Sequence, residues 1–322
     1  MQSRAERLEK ALVARVARAS IDFDLLVRGD RVLVAVSGGK DSLSLLALLR
    51  LLQRRTPFPF SLAAVTVDQG QPGFERDKLT TYFEAEHIDY RVVIDDTYSI
   101  VQQKSPPGAT ACSLCSRLRR GILYTAAARL GATKLALGHH RDDAVETLLL
   151  NIFYSGQLKA MPAKLRTDDG RNTVIRPLIY CAERDLAEYA SSRCFPVVPC
   201  SVCSRQPNLK RQAMKELIAR LQAANPHVTG NLFAALQRVR VTHLLDASLL
   251  RGRGDDPAAC LGDGAQNEHP WTGSTRGDRA LQSRSACEET DPNPRHPGRE
   301  QRTEGTRVLW TEHAPAVGRQ SS

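Results

Sequence analysis

The sequence predicts an α/β protein built on a doubly wound parallel sheet, with added helices and a disordered C-terminal tail. Apolar runs of strand length alternate with amphipathic stretches of helical period, and such alternation favours parallel strands with helices on both faces. The first strand also runs into a Gly-Gly turn and straight into a stretch of helical periodicity. In order, residues 4–28 carry charge and apolar residues at helical spacing and predict an N-terminal helix. "RVLVAVSGGKDSLSLLALLRLL" reads as strand, tight turn and helix; "FSLAAVTVD" is the second strand and "FERDKLTTYFEAEHI" a helix. "DYRVVIDD" is the third strand, "SRLRRGILYTAAARLG" a helix closed by glycine, and "ATKLALGHH" the fourth strand. "RDDAVETLLLNIFYSG" is helical, "TVIRPLI" a short fifth strand, and residues 182–193, 207–223 and 227–240 are further helices.

The chain thus divides into an N-terminal helix over 1–29, a catalytic-sized domain over 30–246 and a tail over 247–322. The tail is rich in Gly, Pro, Arg and acids without apolar periodicity, so it cannot bury enough surface to offset its ordering entropy. Both tryptophans, Trp271 and Trp310, fall in it, which leaves none for the folded part.

Composition narrows the function classes. The 322 residues are 42% hydrophobic, and no apolar run is long enough to span a membrane. The N-terminus lacks the continuous apolar stretch of a secretory signal, so the expected compartment is the cytoplasm. There, eight cysteines imply metal binding or chemistry rather than a disulfide framework. The formal net charge of +10 points to a polyanionic partner such as nucleic acid.

"VLVAVSGGKDS" is the most informative stretch. It lacks the spacer of a Walker A loop, yet its parts suit an anion. Backbone N–H groups of Ser37, Gly38 and Gly39 can converge on phosphate, Lys40 adds charge, and Ser42 sits in the first turn of a helix whose N-terminus favours anions. The place is right as well, because open α/β sheets bind ligands beyond the carboxyl ends of their strands. "LGHHRDDAVETLL" brings His139, His140, Asp142 and Asp143 to the same rim. The two acids suit either N-capping or Mg²⁺, His140 is a candidate general acid/base, and Asp68 reaches either nucleotide or turn backbone.

The cysteines come as "CSLC", Cys112 and Cys115, and "CSVC", Cys200 and Cys203. Structural zinc sites usually place their second ligand pair about 12–20 residues on, whereas here roughly 85 residues intervene. An iron–sulfur cluster gathered from distant segments is the competing reading, and a cluster with three cysteine ligands leaves one iron open for sulfide. Residue chemistry alone leaves zinc and cluster level. Cys181 and Cys194 read as small buried hydrophobes, and Cys260 and Cys287 in the tail are discounted as ligands. Arg117, Arg119 and Arg120 follow Cys115 on a helix and suit a solvated face or phosphate, as do "QPNLKRQAMK" and the basic first helix.

"SGGKDS" resembles the signature of the PP-loop ATP pyrophosphatases, whose fold is of the adenine nucleotide alpha-hydrolase type. "CSLCSRLRRGILY", "GATKLALGHHRDD", "NIFYSGQLKAMPAKL", "IRPLIYCAERDL", "FPVVPCSVCSRQPNLKRQ" and "THLLD" follow in an order that resembles the tRNA 2-thiocytidine synthetase family, from about residue 5 to 246. That resemblance implies ATP-dependent thiolation of cytidine 32 in tRNA, with Ser37, Gly38, Gly39, Lys40, Asp41 and Ser42 holding ATP and Mg²⁺. It implies catalytic roles for Lys40, Asp41 and Asp143, and a [4Fe-4S] cluster on Cys112, Cys115 and Cys203. A cysteine desulfurase would supply sulfur, and the family suggests a homodimer. Ser204 stands where relatives often have glycine. Rival readings are a uridine thiolase, a PP-loop ligase that adds an amine, and a non-catalytic zinc-stabilised RNA-binding protein.

Overall fold

A computed structural model describes residues 2–104, 112–198, 209–247, 249 and 309–313. Seven strands form one sheet in the order β5-β6-β4-β1-β2-β3-β7: β1 is Arg31–Ala35, β2 Ser61–Asp68, β3 Tyr90–Ile94, β4 Lys134–Ala136, β5 Lys164–Arg166, β6 Thr173–Ile175 and β7 Leu309–His313. The five inner strands are parallel, while β5 and β7 run antiparallel at the two edges. The chain builds outward from β1 through β2 to β3, then returns to lay β4 on the other side of β1. This reversal leaves a crevice at the carboxyl ends of β1 and β4, where such sheets take their ligands.

Alternation along the strands serves two helical layers. Val32, Val34, Ala64, Val92, Ala136 and Ile175 face one core. It also takes residues of α1 (Arg4–Asp22), α2 (Lys40–Gln53), α3 (Arg76–Ala85) and α7 (Glu183–Ser192). Leu33, Val65, Val93, Leu135 and Val174 face the other side, against Ile122, Leu123, Ala126 and Ala127 of α5 (Cys112–Arg129). α2 is enclosed on most of its surface: Leu43, Leu45, Leu46, Leu48 and Leu49 are all buried. Each such side chain contributes about 1.5–3 kcal/mol, so the helix that carries "SGGKDS" at its head is held firmly.

Several elements depart from the sequence expectations. The first helix, capped by a reciprocal Ser3–Glu6 box, ends at Asp22 rather than at residue 28. Asp24 takes a left-handed φ of 49°, the Leu25 amide turns back onto the Ser20 carbonyl, and Leu25 and Leu26 become buried plugs ahead of β1. The "TVIRPLI" strand closes at Ile175, and Pro177–Tyr180 forms a 3₁₀ turn, as proline cannot donate to a ladder. Two short elements carried no periodicity long enough to read: α4 (Thr97–Lys104) and β5. Within the stretch read as a disordered tail, Leu309–His313 pairs in register with β3, so Trp310 belongs to a strand. Its apolar and β-branched run "VLWT" is a strand signal outweighed by the surrounding composition. Most of that tail lies outside the described residues.

Helix α6 (Arg141–Ser155) packs against α8 (Leu209–Ala224), with Val145 and Leu149 against Met214 and Ile218; α9 (Val228–Gln237) adds Leu232 and Phe233. Beside this seam Glu146 is buried, and Arg211 Nε donates to its Oε2 at 2.7 Å while Lys215 Nζ stands 3.6 Å from Oε1. Burial pushes the Glu146 carboxyl up, against the pull of Arg211 and Lys215. Arg211→Leu is expected to cost about 1–3 kcal/mol, less than breaking an isolated buried pair because Lys215 still faces the Glu146 carboxylate. Arg211→Leu combined with Glu146→Gln should recover much of it, as urea denaturation of the three variants would show. A second compact unit, residues 239–304, contributes a 3₁₀ turn at Val241–His243 among its described residues.

Candidate active site

The glycine loop starts where β1 stops. The Val36 amide still donates to the Val65 carbonyl, and the chain then turns through Ser37, Gly38 and Gly39 into α2. Gly38 sits at φ 85°, and a Cβ there would lie 2.9 Å from Val198 Cβ. Val198 is bound in turn, its amide donating to the Gly38 carbonyl at 2.9 Å. Ser42 Oγ ties the loop together by accepting from the Ser37 amide at 3.2 Å and donating to the Gly39 carbonyl at 2.9 Å. No side chain caps α2. Its N-terminal dipole therefore faces the crevice, as an anion site requires. Gly138, at the end of β4, makes that crevice narrow: a Cβ there would stand 3.0 Å from the Ser42 amide.

Lys40 does not line the crevice. Its Nζ stands 3.0 Å from Asp41 Oδ2 and 3.2 Å from Glu183 Oε1. Burial alone would lower its pKa, but these two carboxylates raise it, so the ammonium stays charged. Asp41 does line the crevice, and its Oδ1 is buried without a hydrogen-bond partner.

The opposite wall comes from β4 and α6. The adjacent acids separate into two roles. Asp142 Oδ2 accepts from the Glu183 amide at 2.8 Å and so caps α7. Asp143 lines the crevice, closes a capping box with His140 and stands 3.4 Å from Arg211. His140, the candidate general acid/base, is a buried helix cap, and its neighbour His139 lines the crevice instead. Burial, with Arg176 nearby, pushes the His139 imidazole down to about 4, and its Nδ1 is buried without a partner. At neutral pH the ring is uncharged and free to bond a ligand.

A folded-state pKa below the ordinary 6.5 means that the unfolded chain binds the proton more readily. His139 therefore adds full stability above about pH 6.5 and loses it as the pH falls toward 4, roughly 3 kcal/mol in all. His139→Gln is expected to lessen the acid sensitivity over this window, measured by chemical denaturation at a series of pH values.

The third wall is α5 with the end of β2. Ser116, Arg119, Arg120, Leu123 and Tyr124 line the cavity, together with Gln69. Arg117 is exposed and takes no part, and Asp68 bonds the Gly70 amide and Arg76 rather than the cavity. Cys115 is buried among Val101, Leu114 and Leu118, one turn before Arg119, with its Sγ 3.6 Å from Gln69 Oε1. Cys112 opens α5, but its side chain lies outside the described residues, as do Cys200 and Cys203. Among the described residues no three metal-ligating side chains come together. Cys181 is buried as expected, its thiol pushed up to about 12 by burial, whereas Cys194 is exposed, at a left-handed φ of 50° just past α7. Of the lining residues, His139 and Arg211 fall in stretches the sequence already offered, whereas Gln69 escaped that reading; it stands just past the carboxyl end of β2, which is the available signal.

The whole cavity measures about 580 Å³, within the usual range for small-molecule sites. A glycine turn with an uncapped helix behind it, at the switch point of a parallel sheet, defines a PP-loop domain, and the PP-loop domain model matches residues 6–198. The chain belongs to the tRNA-cytidine(32) 2-sulfurtransferase family, a group of PP-loop tRNA sulfurtransferases. It is 54% identical over 254 residues to the tRNA-cytidine(32) 2-sulfurtransferase of Anaeromyxobacter sp. (strain Fw109-5), covering 78% of this chain and 84% of the relative. It is 53% identical over 249 residues to that of Dechloromonas aromatica (strain RCB), covering 77% and 87%. Among solved structures, the U34-tRNA thiolase from Methanococcus maripaludis with its [4Fe-4S] cluster is similar in fold, with a TM-score of 0.59 at 23% identity over 73% of this chain and 82% of that one.

Proposed function

We propose that this tRNA sulfurtransferase converts cytidine 32 of tRNA to 2-thiocytidine, with ATP as activator and an iron–sulfur cluster beside the nucleotide. One observation carries the reading: buried Cys115 lies one helical turn before Arg119 and Arg120, which line the glycine-loop cavity. Sulfur site and nucleotide site thus share a wall.

In the first step the cytidine C2 oxygen attacks the α-phosphate of ATP, and pyrophosphate leaves. The glycine loop and the α2 dipole face the departing pyrophosphate, and Arg119 and Arg120 offset its growing charge. Lys40 sets Asp41 in place. Asp41, with its unpartnered Oδ1, and Asp143 are the carboxylates that would hold Mg²⁺. Neutral His139 offers an uncharged hydrogen bond, not a proton at neutral pH.

Cys115 fits a cluster: it is buried, with Val101, Leu114 and Leu118 on its apolar side. Cys203 is five residues past Val198, which is itself bound to the glycine loop, so about 18 Å of chain reach connects it to the same region. Held by Cys112, Cys115 and Cys203, a [4Fe-4S] cluster would supply the sulfide that replaces the adenylated oxygen at C2, and AMP departs with that oxygen. The sulfur would come from cysteine as a desulfurase persulfide, and a thiol reductant would supply the two electrons that bring it to sulfide. A single-stranded anticodon loop presents C2 at small cost. The expected working form is a cytoplasmic homodimer, and no helix among the described residues is long and apolar enough to cross a membrane.

Anaerobic purification followed by iron, sulfide and zinc analysis tests the cluster. About four irons per chain with absorbance near 400 nm are expected; one zinc per chain without that absorbance would overturn it.

A further inference from the structure

We infer that Gln69 is a positioning residue that fixes the Arg119 guanidinium between the nucleotide cavity and the Cys115 sulfur; the inference rests on the proposal that Cys115 holds a cluster. Gln69 is 3% exposed, at the first position after β2. Its Nε2 donates to Thr97 Oγ1 at 2.7 Å, and Thr97, which opens α4, is buried too. Its Oε1 accepts from Arg119 Nε at 2.8 Å and from Gln71 Nε2 at 3.3 Å. Arginine can only donate, so the atom that meets it must be the amide oxygen, and Thr97 takes the remaining end. The amide has one orientation.

Arg119 is thereby placed for two contacts. It lines the cavity, and its second guanidinium nitrogen stands 3.9 Å from Cys115 Sγ. The Cys115 thiol donates to Gln69 Oε1 at 3.6 Å. A cysteine that binds metal has lost this proton. The sulfur then keeps the Arg119 donor alone of these two contacts. Hydrogen bonds to ligand sulfurs raise a cluster's reduction potential by favouring its more negative state. Gln69 thus links three segments far apart in sequence, the ends of β2, α4 and α5, around one cationic group.

Gln69→Met keeps the volume and removes both polar contacts. Gln69→Glu keeps an acceptor for Arg119, and Thr97 can turn its hydroxyl to donate. The full chain and both variants would be reconstituted anaerobically and compared for iron content, midpoint potential by spectroelectrochemistry, and kcat for thiolation. Equal iron in all three is expected. Gln69→Met should show a more negative potential and a kcat about tenfold lower, with Gln69→Glu keeping a kcat close to that of the unaltered protein although its added carboxylate charge also lowers the potential. Gln69→Met matching the unaltered protein in both readouts overturns the inference. So does a Gln69→Glu kcat as low as that of Gln69→Met, which would mark Gln69 as packing alone. If the unaltered protein retains no iron, the cluster proposal fails at that first assay and the inference falls with it.

Discussion

Replacing Cys115 by serine is expected to abolish iron retention and lower 2-thiocytidine formation by more than about 100-fold, beyond the usual effect of losing an outer-shell partner. Serine is smaller by little, and the helix around position 115 is secured further along by Ile122, Leu123, Ala126 and Ala127 against the sheet. The fold should therefore survive. A hydroxyl is a poor ligand for iron in a sulfide cluster, where thiolate donors are required. ATP binding should persist, because the glycine loop and the α6 wall do not involve the sulfur. Iron analysis and a nucleotide-binding titration on the same preparation separate the two effects. Full iron content in Cys115→Ser would remove this cysteine from the cluster.

Gly38→Ala is expected to lower the rate of pyrophosphate release by about 100-fold, the scale of a misplacement near 1 Å. Two costs coincide at this glycine. An alanine at φ 85° carries strain of roughly 1–2 kcal/mol. Its methyl would also meet Val198 Cβ at 2.9 Å, and Val198 cannot step aside without breaking its bond to the Gly38 carbonyl. Either the loop or the segment that leads to Cys203 must move. Gly29→Ala is the control: its φ is 82°, yet nothing lies within 4 Å, and it precedes β1 at the end of the sheet away from the loop. That variant should lose a little stability and keep its pyrophosphate release, both readable from thermal melts and a coupled phosphate assay.

The contrast between these two glycines shows what sequence makes legible. Gly38 stands out because a strand, a turn and a helix meet around it within a dozen residues, and such local patterns are readable. The central strands and most helices are visible for the same reason, each imposing its own period. Relations set by the tertiary fold are hidden. Asp142 and Asp143 look alike in sequence, and only the approach of α7 makes the first a cap and leaves the second in the cavity. His139 and His140 part in the same way, one to the cavity and one to a helix end. The Gln69–Cys115 contact spans two segments of unrelated pattern, so no spacing announces it. Trp310 joins an edge strand although its surroundings lack a core-forming composition, because β3 offers an unpaired edge.

The most direct test is nucleoside mass spectrometry of unmodified tRNA after incubation with the anaerobically reconstituted protein, ATP, Mg²⁺ and sulfide. The expected result is 2-thiocytidine at position 32, formed with one pyrophosphate and one AMP per modified base and lost when ATP is omitted. A thiouridine in its place, or pyrophosphate release without any thiolated nucleoside, would contradict it.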